Sequence, residues 1–230
     1  MLALWHKARR SVLKSRQHLV NEAESLLAEL PNPLREALPA TKAVRPRLAA
    51  AAGLSALAGD AVNALRLRLL GEHWAAIAEL DRREREIARE LDAALGATGS
   101  TVGELCGLAT RSVAELLVEV GDQRRFTEGG FARFNGSAPL AASTAEGPGE
   151  PVRHRWNHGG NRRVNAILHR MAVTQLRCEP RAQAIFAEAR RRGHTKREAR
   201  RVLKRHLSDV IYRRMIRDLN DGRAAAPAAA

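Results

Sequence analysis

The sequence has few of the residues that support cross-linked, metal-bound or sheet-rich folds. Its 230 residues include only two cysteines, Cys106 and Cys178, with no Cys-x-x-Cys motif and no secretory signal ahead of them. This usage favours neither a disulfide framework nor a structural zinc site, and it predicts a reducing, cytoplasmic location. Aromatic residues make up only 3% of the chain, whereas Ala, Leu and Arg recur throughout, which is typical of long helices. We therefore predict a mainly α fold.

Long apolar runs are also missing. The apolar stretch at residues 48–57 is short and rich in alanine, whereas a membrane-spanning helix needs about 20 apolar residues. We expect no membrane partner. The 45% of hydrophobic residues is still sufficient for a folded core in a chain of this length.

Basic residues are concentrated in the last third of the chain. Residues 151–230 contain 20 Lys and Arg against 6 Asp and Glu, whereas residues 51–150 contain 10 against 15. Such a localised excess is typical of a surface that binds a long polyanion. DNA is the first candidate partner, which predicts association with the bacterial nucleoid.

The first hundred residues show helical periodicity. Residues 2–30 predict a basic amphipathic helix that Pro31 and Pro33 end, and residues 60–95 predict a long helix with Asp60 as its N-cap. The long helix has two interpretations. It is a coiled coil that forms a homodimer or tetramer, or it packs within its own monomer, because Glu84 occupies one of the expected core positions. The predicted stripe comprises Val62, Leu65, Leu69, Ile77, Leu80, Ile87 and Leu91.

The remaining residues predict shorter elements. Residues 105–120 resemble a helix-hairpin-helix element, in which Gly107 and Arg111 would contact a DNA phosphate, although any helix-turn-helix corner is similar. Pro39 and Pro46 bracket a predicted loop, and glycines and prolines predict a loop region at 129–160. Two long helices are predicted at 164–176 and 202–215, separated by a basic turn at 190–197 in which Thr195 is the expected N-cap of the last helix. The predicted domains are residues 1–58, a coiled-coil linker at 59–98 and a third domain at 99–223, before a disordered tail at 224–230.

The densest group of polar residues is the sequence RHRWNHGGNRR at 153–163. Guanidinium groups form bidentate contacts with phosphate, and Trp156 offers a stacking face, so nucleic-acid contact is favoured over a solvated loop with Trp156 in the core. His154 and His158 have no third ligand nearby, so no metal site is predicted. The expected DNA or RNA contacts are Arg153, His154, Arg155, Asn161, Arg162, Arg163, Lys196 and Arg197.

Several ordered sequence blocks resemble the C-terminal transposase domain of the insertion-sequence family called "IS one-ten", whose members are serine-using, bridge-RNA-guided recombinases. The blocks include FARFNGSAP at 131–139, STA at 143–145, GNRRVN at 160–165 and LKRHLSDVIY at 203–212. They span roughly residues 101–218. Residues 16–23 and 41–46 resemble the segment that follows the N-terminal domain of the family.

The resemblance implies that a serine hydroxyl attacks a DNA phosphate and forms a covalent link. It also implies an acidic, RNase-H-like domain before residue 1, which would hold Mg²⁺ in the complete enzyme, so the present chain is expected to bind no cofactor and not to recombine DNA alone. Guide RNA is a further candidate partner.

The nucleophile of this chain is ambiguous. The family commonly has Ser-Ser-Gly, with the second serine attacking, where this chain has Ser143-Thr144-Ala145. Ser143 attacks after a one-residue shift, Thr144 attacks slowly, or the chain is an inactive nucleic-acid-binding relic or regulator that dimerises with an intact transposase. A basic helical scaffold unrelated to transposition would require the ordered blocks to be accidental.

Overall fold

The structure is a computed structural model that describes residues 1–54, 59–141, 154–155, 157 and 159–222, with 140, 141, 154 and 155 described by their backbone alone. Within these ranges the chain is mainly α, which confirms the predicted fold class. The helices are α1 (Leu2–Ala28), α2 (Asn32–Glu36), α3 (Val44–Ala51), α4 (Ala61–Gly96), α5 (Thr110–Val120), α6 (Glu128–Phe134), α7 (Arg162–Cys178), α8 (Pro180–Arg191) and α9 (Lys196–Asn220). Short 3-10 helices occupy Thr101–Glu104 and Gln123–Arg125, and the strands are β1 (Leu140–Ala141) and β2 (His154–Arg155).

The chain divides into two compact units, with the division inside α4. The first unit comprises Leu4–Glu90, and the second comprises Met1–Ala3 with Leu91–Ala230. The domain limits inferred from the sequence, at residues 58, 98 and 223, stay predictions.

The first unit is built on a leucine-rich core from α1 to α4. Pro31 and Pro33 follow the end of α1 as predicted, and Pro33 lies in the first turn of α2. Pro46 was expected to border a loop, but it lies in the first turn of α3, where the missing amide hydrogen costs no helical hydrogen bond. The core cluster is formed by Ala23, Leu27, Leu30, Leu34, Leu38, Leu48, Ala51, Leu67, Leu70 and Ile77.

Helix α4 packs on this core within its own chain. Leu67, Leu70 and Ile77 are buried there, whereas Val62 and Leu65 from the predicted stripe are 58% and 45% exposed. Glu84 is buried at its core position because the Arg9 guanidinium donates to its carboxylate at 2.8 Å. Intramolecular packing therefore accounts for the part of α4 around Leu67 to Ile77, and the coiled-coil interpretation stays a prediction.

The second unit packs α5, α7, α8 and α9 around a separate core. The buried side chains include Leu116 of α5, Met171 of α7 and Leu203 of α9. The sequence analysis placed only a basic turn between the two long helices, but α8 lies there as well. Pro180 is tolerated in the first turn of α8 but cannot continue α7. A second helix therefore begins directly after α7.

Helix α6 corrects the prediction of a continuous loop at 129–160. Gly129 and Gly130 were interpreted as helix breakers, but they lie in the first turn of α6, where Thr127 is the N-cap and accepts the Gly130 amide hydrogen at 3.1 Å. Phe131 then packs edge-on against Phe126 and stacks on Tyr212, and the second contact joins α6 to α9. The capping hydroxyl thus offsets the low helix propensity of glycine.

The two ends of the second unit are fastened by a buried carboxylate. Asp218, near the end of α9, accepts hydrogen bonds from the Ser100 hydroxyl at 3.0 Å and from the Thr101 amide at 2.8 Å. Charged hydrogen bonds of this kind are among the stronger ones in proteins.

Among the described helices, none is long and apolar enough to cross a membrane.

Candidate functional site

A short antiparallel ladder joins the two ends of the 142–153 segment. Leu140 of β1 pairs with Arg155 of β2, and Ala141 pairs with His154. Ser143, Thr144 and Arg153 lie outside the described residues, as do Trp156 and His158. The structure therefore fixes the backbone on both sides of the predicted serine region.

Two glycines allow the chain to close tightly just outside the ladder. A Cβ atom on Gly160 would lie 2.4 Å from the Gly136 nitrogen and 2.5 Å from its Cα. Gly136 itself has a φ of +72°, a conformation that side chains disfavour. Only a residue without a side chain fits at position 160, because the neighbouring atoms are backbone and cannot rotate away.

A series of amide side chains extends this closure to α7 and α9. Asn165 of α7 donates to the Asn135 carbonyl at 2.7 Å, and the buried Asn135 amide donates to the Ser208 hydroxyl of α9 at 2.8 Å. Asn157 donates to the Arg133 carbonyl at 3.1 Å. Because each amide both donates and accepts, these residues connect three segments without adding charge.

A cavity of about 400 Å³ lies between residues 136–139 and the first half of α9. Its wall on the loop side includes Ser137 and Pro139, which leads directly into β1. The charged or titratable side chains that line the cavity are His194, Glu198, Arg201, Lys204, Arg205 and His206. The cavity is thus predominantly basic and adjoins the start of the 142–153 segment.

Lys204 is the half-buried cation of this cavity. Its ammonium group donates to the Asn165 side-chain oxygen at 2.5 Å. Burial, together with the neighbouring Arg201 charge, lowers the pKa of Lys204 to about 8. His169 on α7 has its pKa lowered in the same direction by burial and by the charges of Lys204, Arg200 and Arg170. Burial is the first cause of both shifts, and the neighbouring positive charges add to it.

The two acidic residues nearest to Lys204 along α9 are already engaged. Glu198 accepts from the backbone and hydroxyl of Thr195 in a capping box, which lowers the pKa of its carboxyl group. Asp209 pairs with Arg205 one turn away. Thr195 is therefore the N-cap that the sequence predicts, and its capping box holds the Glu198 carboxylate, which also interacts with the charges of His194 and Arg201.

Residues 100–187 match the family model described as the transposase IS116/IS110/IS902 family. The matched segment contains the ladder, the glycine contact and the amide series of α6 to α7, and it ends within α8. The match covers 88 of the 230 residues, and this segment is similar to that transposase family. The resemblance stated from the sequence blocks is thereby confirmed. No curated protein matches the chain.

The predicted contact residues of the matched segment lie in different environments. Asn161 caps α7 by accepting the amide hydrogens of Arg163 and Val164, and its own amide donates to Glu119 at 2.9 Å. Arg163 also pairs with Glu119, whereas Arg162 is exposed and has no ion pair among the described residues. Asn161 and Arg163 are thus brought together on one carboxylate of α5.

The segment predicted as a helix-hairpin-helix element, residues 105–120, contains a turn at Gly107 and helix α5, and the 3-10 helix Thr101–Glu104 precedes it. The helix-hairpin-helix interpretation stays a prediction. Gly107 has a φ of +86°, and a Cβ atom there would lie 3.2 Å from the Met171 carbonyl oxygen. Its lack of a side chain therefore allows the turn to pack on α7. Arg111 is exposed in the first turn of α5, and Lys196 and Arg197 are exposed in the first turn of α9.

None of the predicted contact residues that the structure describes lines the cavity. The sequence analysis missed Arg201, Lys204, Arg205 and His206. A signal was present, since these residues alternate with the buried Leu203 and Leu207 at helical spacing. Lys204, Arg205 and His206 lie within the predicted helix at 202–215 and Arg201 directly precedes it. Only the apolar face of that helix was considered.

The turn before α5 also brings the two cysteines together. The sulfur atoms of Cys106 and Cys178 lie 3.3 Å apart as free, exposed thiols, although 72 positions separate them in the sequence. The hydrogen bond between the two sulfur atoms raises the pKa of the Cys106 thiol. Sequence spacing gave no indication of this proximity.

Among the described residues, no group of three or more His, Cys, Asp or Glu side chains is placed to hold a metal ion. The Mg²⁺ that the family resemblance assigns to the complete enzyme stays a prediction.

Proposed function

We propose that this chain is the DNA-binding part of an insertion-sequence transposase and acts in DNA transposition through a serine-type nucleophile on a DNA phosphate. The family implies DNA as the partner. The observation that carries the proposal is the juxtaposition of the basic cavity with the closed ends of the 142–153 segment, which contains Ser143 and Thr144. A basic cavity at this point supplies charge where a DNA phosphate would meet a hydroxyl.

The proposed chemistry transfers a phosphoryl group from DNA to the protein. The hydroxyl oxygen of Ser143 or Thr144 forms a bond to phosphorus, the P–O bond to one strand breaks, and the hydroxyl proton passes through solvent or a base to the leaving oxygen. The phosphodiester energy is retained in the protein-DNA link for rejoining. Positive side chains near the phosphate stabilise the charge that develops on its oxygens.

A second candidate function is a DNA-binding relic or regulator without catalytic activity. The observation that favours it is the sequence Thr144-Ala145 where the family commonly has Ser-Gly. The threonine methyl group restricts the side chain and crowds an in-line attack. Both functions require DNA binding, so they differ only in whether a covalent product forms.

DNA binding is tested by fluorescence anisotropy with the full chain and a labelled DNA duplex over a series of salt concentrations. Contacts to several phosphates predict that log Kd rises with log salt with a slope of about 0.9 for each phosphate contacted. Affinity that does not change with salt, or no binding at low salt, would contradict the proposal.

Catalysis is tested with DNA carrying element ends and target, with guide RNA, Mg²⁺ and a separately supplied acidic domain. A protein-DNA species that survives denaturing electrophoresis is expected with the wild-type chain and with the Ser15→Ala control. Its loss in Ser143→Ala or in Thr144→Ala would identify the nucleophile. If DNA binds but no covalent species forms under any of these conditions, the regulator function is favoured and the nucleophile assignment is wrong.

A further inference from the structure

We propose that Lys204 binds one phosphodiester of the DNA backbone inside the cavity, with Arg201 and His206 beside it, and so anchors the DNA at the foot of the 142–153 segment. This inference rests on the proposed function and deepens it, because it assigns one phosphate to one buried cation. The experiments below therefore separate a failure of DNA binding from a failure of this assignment.

Lys204 lacks a counter-charge. It is half-buried, and its ammonium group donates to the neutral side-chain oxygen of Asn165. Among the described residues no carboxylate forms an ion pair with Lys204, and Glu198, the acid that lines the cavity, is held by Thr195. A charge withdrawn from water without an ionic partner is costly. An anion that enters the cavity supplies the partner.

Asn165 is held in one orientation. Its amide nitrogen donates to the Asn135 carbonyl, so its oxygen faces Lys204. Asn135 is in turn held by Ser208, which lies one helical turn after Lys204 on α9. This network positions the ammonium group by hydrogen bonds without neutralising it. A carboxylate at position 165 would instead have formed an ion pair with the Lys204 ammonium group.

The surrounding potential comes from both helices that flank Lys204. On α7 the neighbouring titratable groups are His169 and Arg170, and on α9 they are Glu198, Arg200, Arg201, Arg205 and His206; His194 precedes α9. Cations predominate in this set. Burial is the main cause of the lowered pKa of His169, and the charges of Lys204, Arg200 and Arg170 add to it.

The cavity wall distinguishes a diester from a free phosphate ion. The cavity measures about 400 Å³ and includes Ala138, Pro139 and Val202 in its wall. An inorganic phosphate ion has no apolar group to place against these side chains, whereas the sugar carbons on either side of a DNA phosphate do. The mixture of one buried cation and apolar wall atoms therefore fits a DNA backbone better than it fits a small anion.

Affinity measurements test the assignment with Lys204→Met, which keeps the length of the side chain and removes its charge. We expect DNA affinity to fall about tenfold. The slope of log Kd against log salt should fall by about 0.9, the contribution of one phosphate contact. Lys42→Met, which removes a charge from an exposed position in the first unit, should change neither value. Circular dichroism verifies that both variants are folded.

NMR titration tests the same assignment in the wild-type chain, and a variant is used only to assign the Lys204 signal. The side-chain signals of ¹³C-labelled lysine report the pKa of Lys204, assigned by the loss of its signal in Lys204→Arg. We expect a pKa near 8 in the free chain and a clear increase with a saturating DNA duplex, because a bound phosphate favours the charged form. Inorganic phosphate at the same total phosphate concentration should cause little change.

The outcomes are separable. Absence of DNA binding by the wild-type chain would overturn the proposed function itself. DNA binding with unchanged affinity and salt slope in Lys204→Met, or with no change in the Lys204 pKa, would overturn only the assignment of a phosphate to this cavity. An equal pKa increase with inorganic phosphate alone would show a small-anion site and would overturn the diester assignment.

Discussion

At the scale of single residues, asparagine and glycine hold the ends of the 142–153 segment. Asn135 is fully buried, and its side chain satisfies both its donor and its acceptor, to the Ser208 hydroxyl and from the Ser137 amide. A neutral amide can occupy such a position beside a basic cavity without requiring a counter-ion. Charge is thereby reserved for Lys204 and the residues that line the cavity.

The charge of Lys204 is expected to lower the stability of the free chain. Its pKa falls from 10.5 in an unfolded chain to about 8 when folded, so between these values the unfolded state binds the extra proton and stability rises with pH. We expect Lys204→Met to have a higher melting temperature than the wild type at pH 7, and the difference to shrink as pH passes from 8 to above 10.5. A destabilised variant whose difference is independent of pH would contradict this.

Gly160 is expected to tolerate no side chain. Gly160→Ala forces a Cβ against the Gly136 backbone, and overpacking of this kind typically costs about 1–3 kcal/mol. Gly159→Ala is the matched control, because a Cβ there would meet only the Asn157 side-chain oxygen at 3.5 Å. Chemical denaturation measures both free energies of unfolding. Equal values for the two variants would show that the close approach is relieved by a small backbone shift.

At the scale of elements, α9 combines two roles. Leu203, Leu207 and Ile211 are buried in the second core, while Arg201 and Lys204 line the cavity. Thr195 and Glu198 cap its start, and Asp218 fastens its last turn to Thr101. Because both ends are fixed, the cavity residues occupy a rigid helix rather than a loop, which suits a binding site.

The turn before α5 and the end of α7 are expected to be cross-linked on oxidation. Diamide should convert the Cys106 and Cys178 thiols to a disulfide, with the two electrons and two protons passing to its N=N bond. The cross-link should raise the free energy of unfolding by about 2–4 kcal/mol, measured by chemical denaturation with thiol titration and intact mass.

Cys106→Ser provides the control for this prediction. The variant should lose the response to diamide and should form no intramolecular disulfide. Persistence of two free thiols in the oxidised wild type, or formation of only intermolecular dimers, would show that the 3.3 Å approach of the sulfur atoms does not lead to a bond.

At the scale of the whole molecule, the two units differ in charge. The first unit is held by a leucine core and by ion pairs such as Arg9 with Glu84, whereas the basic excess of residues 151–230 belongs to the second unit. Self-association through α4 and nucleic-acid binding through α9 are therefore predictions about different units, and each can be tested by variants that leave the other unchanged.

Dimerisation through α4 is tested at its exposed apolar positions. If Val62 and Leu65 form a helix-helix contact between two copies, Leu65→Lys should shift the chain from dimer to monomer in sedimentation experiments, because a like charge would face itself across the contact. Arg68→Lys, at an exposed position of α4 that keeps its charge, should leave the assembly unchanged. A wild-type chain that sediments as a monomer at high concentration would contradict the coiled-coil interpretation.

The sequence by itself determined what depends on neighbours within a few residues. The helical periods, the Asp60 and Thr195 caps and the ordered blocks of the transposase family are local patterns, since helical hydrogen bonds and caps join residues three or four positions apart. The same locality explains the errors at α3 and α6, where proline and glycine lie in a first turn that tolerates them. Helix α8 was missed because Pro180 begins a helix there.

Only the tertiary structure decided which distant residues meet. The β1–β2 ladder, the 136–160 glycine contact, the pair of Lys204 with Asn165 and the pair of Cys106 with Cys178 join positions that are far apart in the chain. The packing of α7 against α9 and of the Gly107 turn against α7 creates these contacts. Hydrophobic periodicity shows that a helix has a buried face but does not specify which helix covers it. The pairing of the helices forms the cavity, the half-buried site of the Lys204 ammonium group and the thiol pair.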